Sequence, residues 1–561
     1  MTYVITQPCC NDASCVEVCP VNCIHPTPEE APFMKTEMLF IDPNTCIDCA
    51  ACVYECPVDA IKAEDELDDD TEPYLALNAA YYDRYPIEPG TPARPPTQRR
   101  TVEAAGLRVA LVGSGPAAWY AAAELLEQPG VMVNMFDRLP TPYGLIRAGV
   151  APDHPSTKSV TDVFRSLGNK PGLALHLGVE VGMHLTPEEL AEHHNAVIYA
   201  IGAPGDRKLG VPGEDLPGSH SATDFVAWYN GHPDYRHLQF DLGCERAVIV
   251  GNGNVALDVA RIILSDPDEL DTTDIAPHAV EALRHSKIEE VVILSRRGVA
   301  QAAYTNPEFL ALMKRKDIDV VADPAEAQLD EVSAHLIESE GADPSVGVKV
   351  KLAQEAAATA PVANKRIVFR YLRSPEAILG DESVDAVRVV RNELVACADG
   401  SVIAKPTSDT EVIETGLVLR SVGYHGRGLA GVPFDETRGV IPNSEGRVLT
   451  GPDGDVVAGQ YVAGWIKRGP SGVIGTNKRC AAETVAHVLD DFERGRLHEV
   501  TTAPDAIGAL VRMRQPDVVD YQGWMVLDRA EVSAGARHGR LRLKFTDVDE
   551  MFAVVRKSRS S

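Results

Sequence analysis

Nine of the twelve cysteines in this chain fall between Cys9 and Cys56, and most follow one ligand spacing written twice. The later copy is Cys46-x2-Cys49-x2-Cys52-x3-Cys56-Pro57. The earlier one, Cys9-x2-Asp12-x2-Cys15-x3-Cys19-Pro20, keeps the spacing but has Asp12 where a second cysteine would stand. Three thiolates at i, i+3 and i+6 wrap three corners of an iron–sulfur cubane, and where two such runs occur the cysteine before proline ligates the other cluster. Crossed in this way, Cys46, Cys49, Cys52 and Cys19 hold a [4Fe–4S] cluster. Cys9, Cys15 and Cys56 remain for a second cluster with Asp12 at its open corner, either [3Fe–4S] or an Asp-ligated [4Fe–4S]. Zinc is the competing reading, but structural zinc takes four ligands, usually as two separated pairs, and this run matches that poorly. Cys10 and Cys23 are extra thiols in the segment.

A chain of 561 residues predicts roughly three to four domains. Its net charge of −29 argues against a nucleic-acid binder held by phosphate contacts. Residues 1–105 carry 19 acidic and 6 basic side chains, or −13 of that total. This excess reads either as plain solubility or as a docking face for basic electron-transfer partners. No apolar run approaches the ~18–20 residues that span a bilayer, and the opening MTYVITQPCC lacks the basic-then-apolar layout of a secretory signal. Cluster thiolates need a reducing compartment, so a cytoplasmic location is expected.

Beyond the cysteines come an acidic run, Glu64 to Asp70, and a stretch rich in proline with Pro86, Pro89, Pro92, Pro95 and Pro96, ending near Arg100. Such density favours a semi-rigid extended spacer over 63–105; a segment wrapped against the next domain is the alternative. From Leu107 the texture turns α/β. RVALVGSGPAAWYAAAELL reads as strand, glycine turn and helix, and RAVIVGNGNVALDVARIIL repeats it from Arg246 to Leu264. Two such units predict two doubly wound nucleotide-binding domains. The stretch from Asp317 to Pro406 reads as elaboration of the second, and 501–561 as a peripheral segment.

Gly113-x-Gly115-x-x-Ala118 has the strand-then-helix context that a dinucleotide fingerprint requires. Gly113 permits the tight turn, Gly115 lets backbone approach a pyrophosphate at the helix N-terminus, and Ala118 allows close helix–sheet packing. Pro116 and Ala117 complete the turn. Asp137 closes the following strand, VNMFD, and stands where an acid meets ribose hydroxyls. The second fingerprint, Gly251-x-Gly253-x-x-Ala256, has no acid at the corresponding distance. Its next strand reads EVVILSRRG and ends in Arg296 and Arg297, after an insertion from Ser265 to Lys287. Guanidinium forks match phosphate oxygens, so this pair predicts NADP over NAD through the 2′-phosphate. Asn254 and Val255 follow the glycines and are expected to touch the nicotinamide nucleotide. One flavin and one nicotinamide are the natural occupants of tandem fingerprints, and the first is the better flavin candidate because GSGPAAW is followed by FDRLPTPYGLIRAGVAPDHP.

GSGPAAW, the run FDRLPTPYGLIRAGVAPDHP that includes Leu145, GNGNVALDVAR, SRRG and GWIKRGPSGVIGTNK together resemble adrenodoxin reductase and its bacterial ferredoxin–NADP reductase relatives over about 107–500. The segment ending at Ile61 resembles bacterial ferredoxins of the seven-iron and eight-iron type, departing from them at Asp12. The whole arrangement resembles the fused ferredoxin–reductases of actinobacteria. That likeness implies a small α+β ferredoxin-like domain over 1–62 and an FAD domain over 107–210 plus 425–500. An NADP domain over 211–424 would lie between its halves, as in the adrenodoxin reductase/glutathione reductase-like α/β fold. It also implies flavin contacts from Leu145, Trp465 and the amides of Gly472, Val473 and Ile474, with Asp153 and His154 near the flavin and Glu308 on the nicotinamide side. The implied activity is that of a ferredoxin–NADP+ reductase, a monomer passing electrons from NADPH through FAD and clusters to ferredoxins or cytochrome P450-type acceptors. Competing readings are the electron-input subunit of a glutamate-synthase-like complex, and an assembly module without turnover. No Cys-x-x-Cys pair lies in the reductase part, where Cys244, Cys397 and Cys480 are isolated, which counts against a disulfide reductase.

Overall fold

The computed structural model describes residues 2–87, 102, 104–338, 344–397 and 401–560. Its N-terminal unit pairs strand Tyr3–Ile5 with Ile61–Ala63 and Ile24–His25 with Phe40–Ile41, both antiparallel. Two short helices, Ser14–Val18 and Ala51–Glu55, lie within the two cysteine runs. The repeat seen in the cysteines extends to the backbone. Asn11, Ala13 and Asn22 adopt positive φ, and so do their counterparts in the second copy, Asp48, Ala50 and Asp59. Backbone that turns its N–H groups inward in this way favours an anionic guest.

The expected spacer is in part a packed element. Helix Pro73–Arg84 buries Tyr74, Leu77, Asn78, Tyr81 and Tyr82. Asn78 clamps the unit from within: its Oδ1 accepts from the amides of Ile5 and Ile41, and its Nδ2 donates to the Ile5 carbonyl. Periodic tyrosines and leucine inside an otherwise polar stretch supply that buried face. Pro89, Pro92, Pro95 and Pro96, on which the spacer reading rested, lie outside the described residues.

The sheet built on Arg108–Val112 has seven strands, in the order 443–444, 447–449, 456–462, 196–199, 108–112, 132–137, 173–177. Pairing is parallel from 456–462 onward. Helix Pro116–Leu126 packs on it through Ala118, Ala121 and Ala122, all fully buried, and their small side chains let helix Thr476–Glu493 pack closely against it. The second sheet is six-stranded and wholly parallel, ordered 219–221, 417–420, 246–250, 290–294, 365–370, 318–322. An antiparallel three-stranded sheet, 373–379, 386–396 and 402–414, is appended to it. The chain passes between the two large sheets at Gly205–Asp206 and Tyr424–His425, which pair with each other.

The C-terminal stretch, expected at the periphery, lies closer to the centre. Trp524 and Glu531 of helix Tyr521–Ala536 are buried. Glu531 pairs with Arg147, and Lys544 Nζ donates to the carbonyls of Arg147 and Asn230. Apolar residues of the cysteine unit and of the first sheet's helices belong to one continuous buried cluster, so the two share a core.

Candidate redox-cofactor site

At the first glycine turn Gly113 has φ +104°, and a Cβ there would stand 2.4 Å from the Ala200 carbonyl oxygen, so only glycine fits. A Cβ on Gly115 would meet nothing, leaving the mouth of helix Pro116–Leu126 open to a ligand. Asp137 accepts from Ser114 through its amide (2.9 Å) and hydroxyl (2.6 Å) and from the Leu139 amide. Burial pushes its carboxyl above the ordinary range in spite of these donors. The Pro142–Leu145 bend lies across the turn: Tyr143 N donates to Ser114 O, Gly144 abuts Gly115, and Leu145 stays exposed beside them.

The segment 464–475 closes this cleft from the other side. Gly464, at φ +79°, abuts Ala117. Trp465 lies 5.1 Å from Tyr424, ring to ring, and donates its indole N–H to Ser471 O. Val473 and Ile474 carbonyls are taken by Thr476 and Asn477, whereas the amides of Gly472, Val473 and Ile474 have no acceptor among the described residues. Arg468 is half-buried there, with Nε and one terminal nitrogen unpaired. Free N–H groups beside a half-buried cation suit an electron-rich, partly anionic ring edge.

The second turn repeats the first. Gly251 has φ +107°, with a Cβ only 2.1 Å from Ser421 O, and Gly253 is open. Asn254 is fixed by Thr305, accepting from its amide (2.8 Å) and donating to its hydroxyl (3.1 Å), while Val255 is half-buried alongside. Arg296 is exposed and Arg297 half-buried. Neither guanidinium meets a carboxylate among the described residues. Burial and the neighbouring Arg296 charge depress Arg297, and an anion would relieve this repulsion.

Between the turns stand the residues expected near the reacting rings. Asp153 makes a two-pronged pair with Arg261, at 2.7 and 3.0 Å, and Arg261 also reaches Asp258 at 2.9 Å. Burial alone would raise the Asp153 carboxyl, but the Arg261 guanidinium outweighs it and holds it at about 2. Asp153 thus joins the two nucleotide folds. His154, Asp258 and Glu308 bring a ring nitrogen and two carboxylate oxygens within 4.8 Å of one another. Burial pushes Glu308 upward, and His154 and the Gln7 amide oppose the shift. Oε1 of Glu308 accepts from Gln7 Nε2 at 2.7 Å, while its Oε2 is buried without a partner.

Cys19, Cys46, Cys49 and Cys52 line one cavity, together with Cys23. Cys9, Cys15, Cys56 and Asp12 face one another closely enough that each charge acts on the next. Burial foremost, with the Cys56 and Asp12 charges, pushes the Cys9 thiol up to about 12; thiolates gathered here need metal cations among them, and the thiolate-ligated group as a whole is the anion that the inward N–H groups favour. Asp12 accepts from the Ser14 amide and hydroxyl and lies 3.9 Å from Lys478 Nζ. This second group abuts the segment 464–475. Gly475 N donates to Cys10 O at 2.7 Å, and a Cβ on Gly475 would fall 2.2 Å from the Asp12 amide.

Sequence reasoning missed Gln7, Tyr424, Arg468, Gly475 and Lys478. Arg468, Gly475 and Lys478 sit inside the quoted GWIKRGPSGVIGTNK run and were within its reach; Gln7 had no local signal at all. Cys480 accepts the Gly464 N–H and Cys244 bonds Arg246 O, so both are structural.

Residues 107–316 match the pyridine nucleotide-disulphide oxidoreductase family and 39–62 the 4Fe-4S binding domain family. A probable ferredoxin/ferredoxin–NADP reductase of Mycobacterium tuberculosis is 47% identical over 571 residues, covering 99% of this chain and 95% of that protein. The NADPH:adrenodoxin oxidoreductase of Arabidopsis thaliana is 37% identical, over 80% of this chain and 95% of its own. The structure of M. tuberculosis FprA in complex with NADPH superposes with a TM-score of 0.75 at 43% identity, covering 81% of this chain and all of that one. With a relative 47% identical over 99% of its length, the chain belongs to the ferredoxin/ferredoxin–NADP reductase family.

Proposed function

We propose that this oxidoreductase draws electrons from NADPH at the second glycine turn and passes them through an FAD site at the first turn to two clusters in its own N-terminal domain. The observation that carries the reading is continuity. The free amides of Gly472, Val473 and Ile474 run directly into Gly475, whose N–H holds the Cys10 carbonyl between Cys9 and Asp12. A bound flavin supplies the exchange between the two-electron chemistry of nicotinamide and the one-electron chemistry of iron–sulfur clusters.

In this reading the chain's residues have separate tasks. Gly113, Gly115, Pro116, Ala117, Ala118 and Leu145 cradle the FAD diphosphate and its flanks, with Asp137 at the ribose. Gly251, Gly253, Asn254 and Val255 do the same for NADP, and Arg296 and Arg297 meet its 2′-phosphate. Trp465 and Tyr424 cover the rings and exclude water. Asp153, through Arg261, holds the two halves in register, while His154 and Glu308 stand ready to hold a proton beside the nicotinamide. Domain limits of 1–62, 107–210 with 425–500, and 211–424 follow from the same reading.

Cys46, Cys49, Cys52 and Cys19 would hold [4Fe–4S]. Cys9, Cys15 and Cys56 would hold [3Fe–4S], or an Asp12-ligated [4Fe–4S]; Asp12 is drawn toward Ser14 and Lys478, which supports an open corner. Ferredoxin or P450-type acceptors, a monomeric state and a cytoplasmic location complete the proposal. No helix among the described residues is long and apolar enough to cross a membrane. Anaerobic titration with NADPH, followed by visible and EPR spectroscopy, tests it. Flavin bleaching with the appearance of a reduced-cluster signal is expected; bleaching with no cluster reduced would refute the internal relay.

A further inference from the structure

We infer that the iron–sulfur domain also positions the NADPH site, by capping the helix that carries Glu308 and holding the Glu308 carboxylate through Gln7. This rests on the proposed NADPH role of the second glycine turn and goes beyond it, because it assigns positioning residues in one domain to a site in another.

Helix Asn306–Met313 begins at Thr305, whose side chain makes no capping bond. The first amides of a helix lack partners within it. Here the N-terminal unit provides one: Glu37 Oε2 accepts the Asn306 amide at 2.7 Å. Glu37 also meets Lys349 at 3.2 Å, so its carboxylate is fixed by two groups of the nucleotide domain. Tyr74, from helix Pro73–Arg84 within the expected spacer, donates its hydroxyl to the Pro307 carbonyl at 3.0 Å. Gln7, just before Cys9, donates to Glu308 Oε1 at 2.7 Å. Side chains from three separate places ahead of Tyr85 therefore converge on Asn306, Pro307 and Glu308, one after another in the chain.

That turn is coupled to the nucleotide site by geometry. Thr305 is doubly bonded to Asn254 at the second glycine turn, and Glu308 faces His154 and Asp258. The charged and titratable groups around Glu308 are His154, Asp258 and Arg261, with the Tyr74 hydroxyl nearby. Among the described residues only Gln7, from the iron–sulfur domain, fixes the carboxylate by a hydrogen bond. A donor on a carboxylate favours its charged form, so the docked domain biases Glu308 toward ionisation against the burial that opposes it.

The test uses the full chain with its flavin and clusters, in Gln7→Ala, Gln7→Glu and Gln7→Lys forms with visible spectra matched to the parent. The first readout is proton uptake on NADP+ binding across pH, by titration calorimetry in buffers of different ionisation heat. The second is the pH profile of NADPH-driven ferricyanide reduction, with kcat and KM separated. The limb assigned to Glu308 is expected to move to higher pH in Gln7→Ala and further in Gln7→Glu, and to return in Gln7→Lys, which restores a donor. Below the limb, Gln7→Ala should lose roughly tenfold in rate, the cost of one hydrogen bond to a charged group. A third readout concerns the cap: Glu37→Ala should speed hydrogen exchange of the 304–313 peptide about fivefold. Uptake and profiles unmoved in all three Gln7 forms, or absent limbs in every form, would overturn the positioning role. Failure of the parent itself to oxidise NADPH would instead refute the functional reading beneath it.

Discussion

Losing Arg297 should damage NADPH use more than losing Arg296, and the reason lies in their burial. Both follow strand Glu290–Leu294 and neither has a carboxylate partner among the described residues, but Arg296 is exposed while Arg297 is half-buried. NADP differs from NAD only in the 2′-phosphate, so discrimination comes from groups meeting that phosphate. A hydrogen bond to a charged group contributes about 1.5–3 kcal/mol, or roughly 10–150-fold in Kd. An exposed ion pair is screened to about 0.2–1 kcal/mol, or roughly 1.5–5-fold. Arg297→Ala is therefore expected in the first range and Arg296→Ala in the second, with kcat/KM for NADH unchanged in both. The Arg296 effect should also fade in high salt, where the Debye length falls to about 3 Å at 1 M, and the Arg297 effect should persist. Steady-state kcat/KM for NADPH and NADH at low and high ionic strength reads all of this. If both variants keep the parent's NADPH:NADH ratio, the phosphate is recognised elsewhere. If Arg296 proves dominant, the burial argument is wrong though the site is right.

Four further outcomes are expected. Arg261→Leu strands Asp153 and Asp258 without their cation and should cost about 3–5 kcal/mol, seen as a lower denaturation midpoint; a midpoint within error of the parent refutes the bridging role of this pair. Because the folded Asp153 carboxyl is held at about 2, below its unfolded value, its stabilising contribution is complete above about pH 4. It should fade as pH falls from there toward 2, and Asp153→Asn should lose that part of the acid transition. Gly251→Ala forces a Cβ to within 2.1 Å of Ser421 O at φ +107°, so NADPH binding should collapse while bound FAD per chain stays near parent level; equal loss of both would show that the two turns are not independent. On the proposed cluster assignment the air-exposed parent gives a [3Fe–4S] EPR signal, and Asp12→Cys, which places a soft thiolate where a harder, weaker carboxylate stood, should replace it with a stable [4Fe–4S]. An unchanged signal would move the open corner away from Asp12.

The parts of this protein that sequence made legible are those whose cause is local. A glycine turn needs positive φ and a close approach within a few residues, and both Gly113 and Gly251 have them. Cluster spacing is equally local: the offset between the two cysteine runs recurs in the left-handed backbone at Asn11 and Asp48, Ala13 and Ala50, Asn22 and Asp59, because each copy solves the same wrapping problem. What stayed hidden depends on sequence separation. Proline density argued for a spacer before Arg100, yet the buried Tyr74, Tyr81 and Tyr82 lie just upstream on a helix. Its pattern is legible only once a partner surface is known, since the face is too tyrosine-rich to read as core. The tail behaves likewise: Glu531 is a buried carboxylate, and no rule of composition places a glutamate in a core until Arg147 and Arg542 are seen to meet it. The Gln7–Glu308 bond spans 301 positions. Glutamine near a cysteine run carries no periodicity, charge or motif, so its role exists only after three folding units have docked. Where a fused chain differs from a reductase of separate parts is thus in the contacts that sequence reads least well, and those contacts converge on the first turn of the helix carrying Glu308.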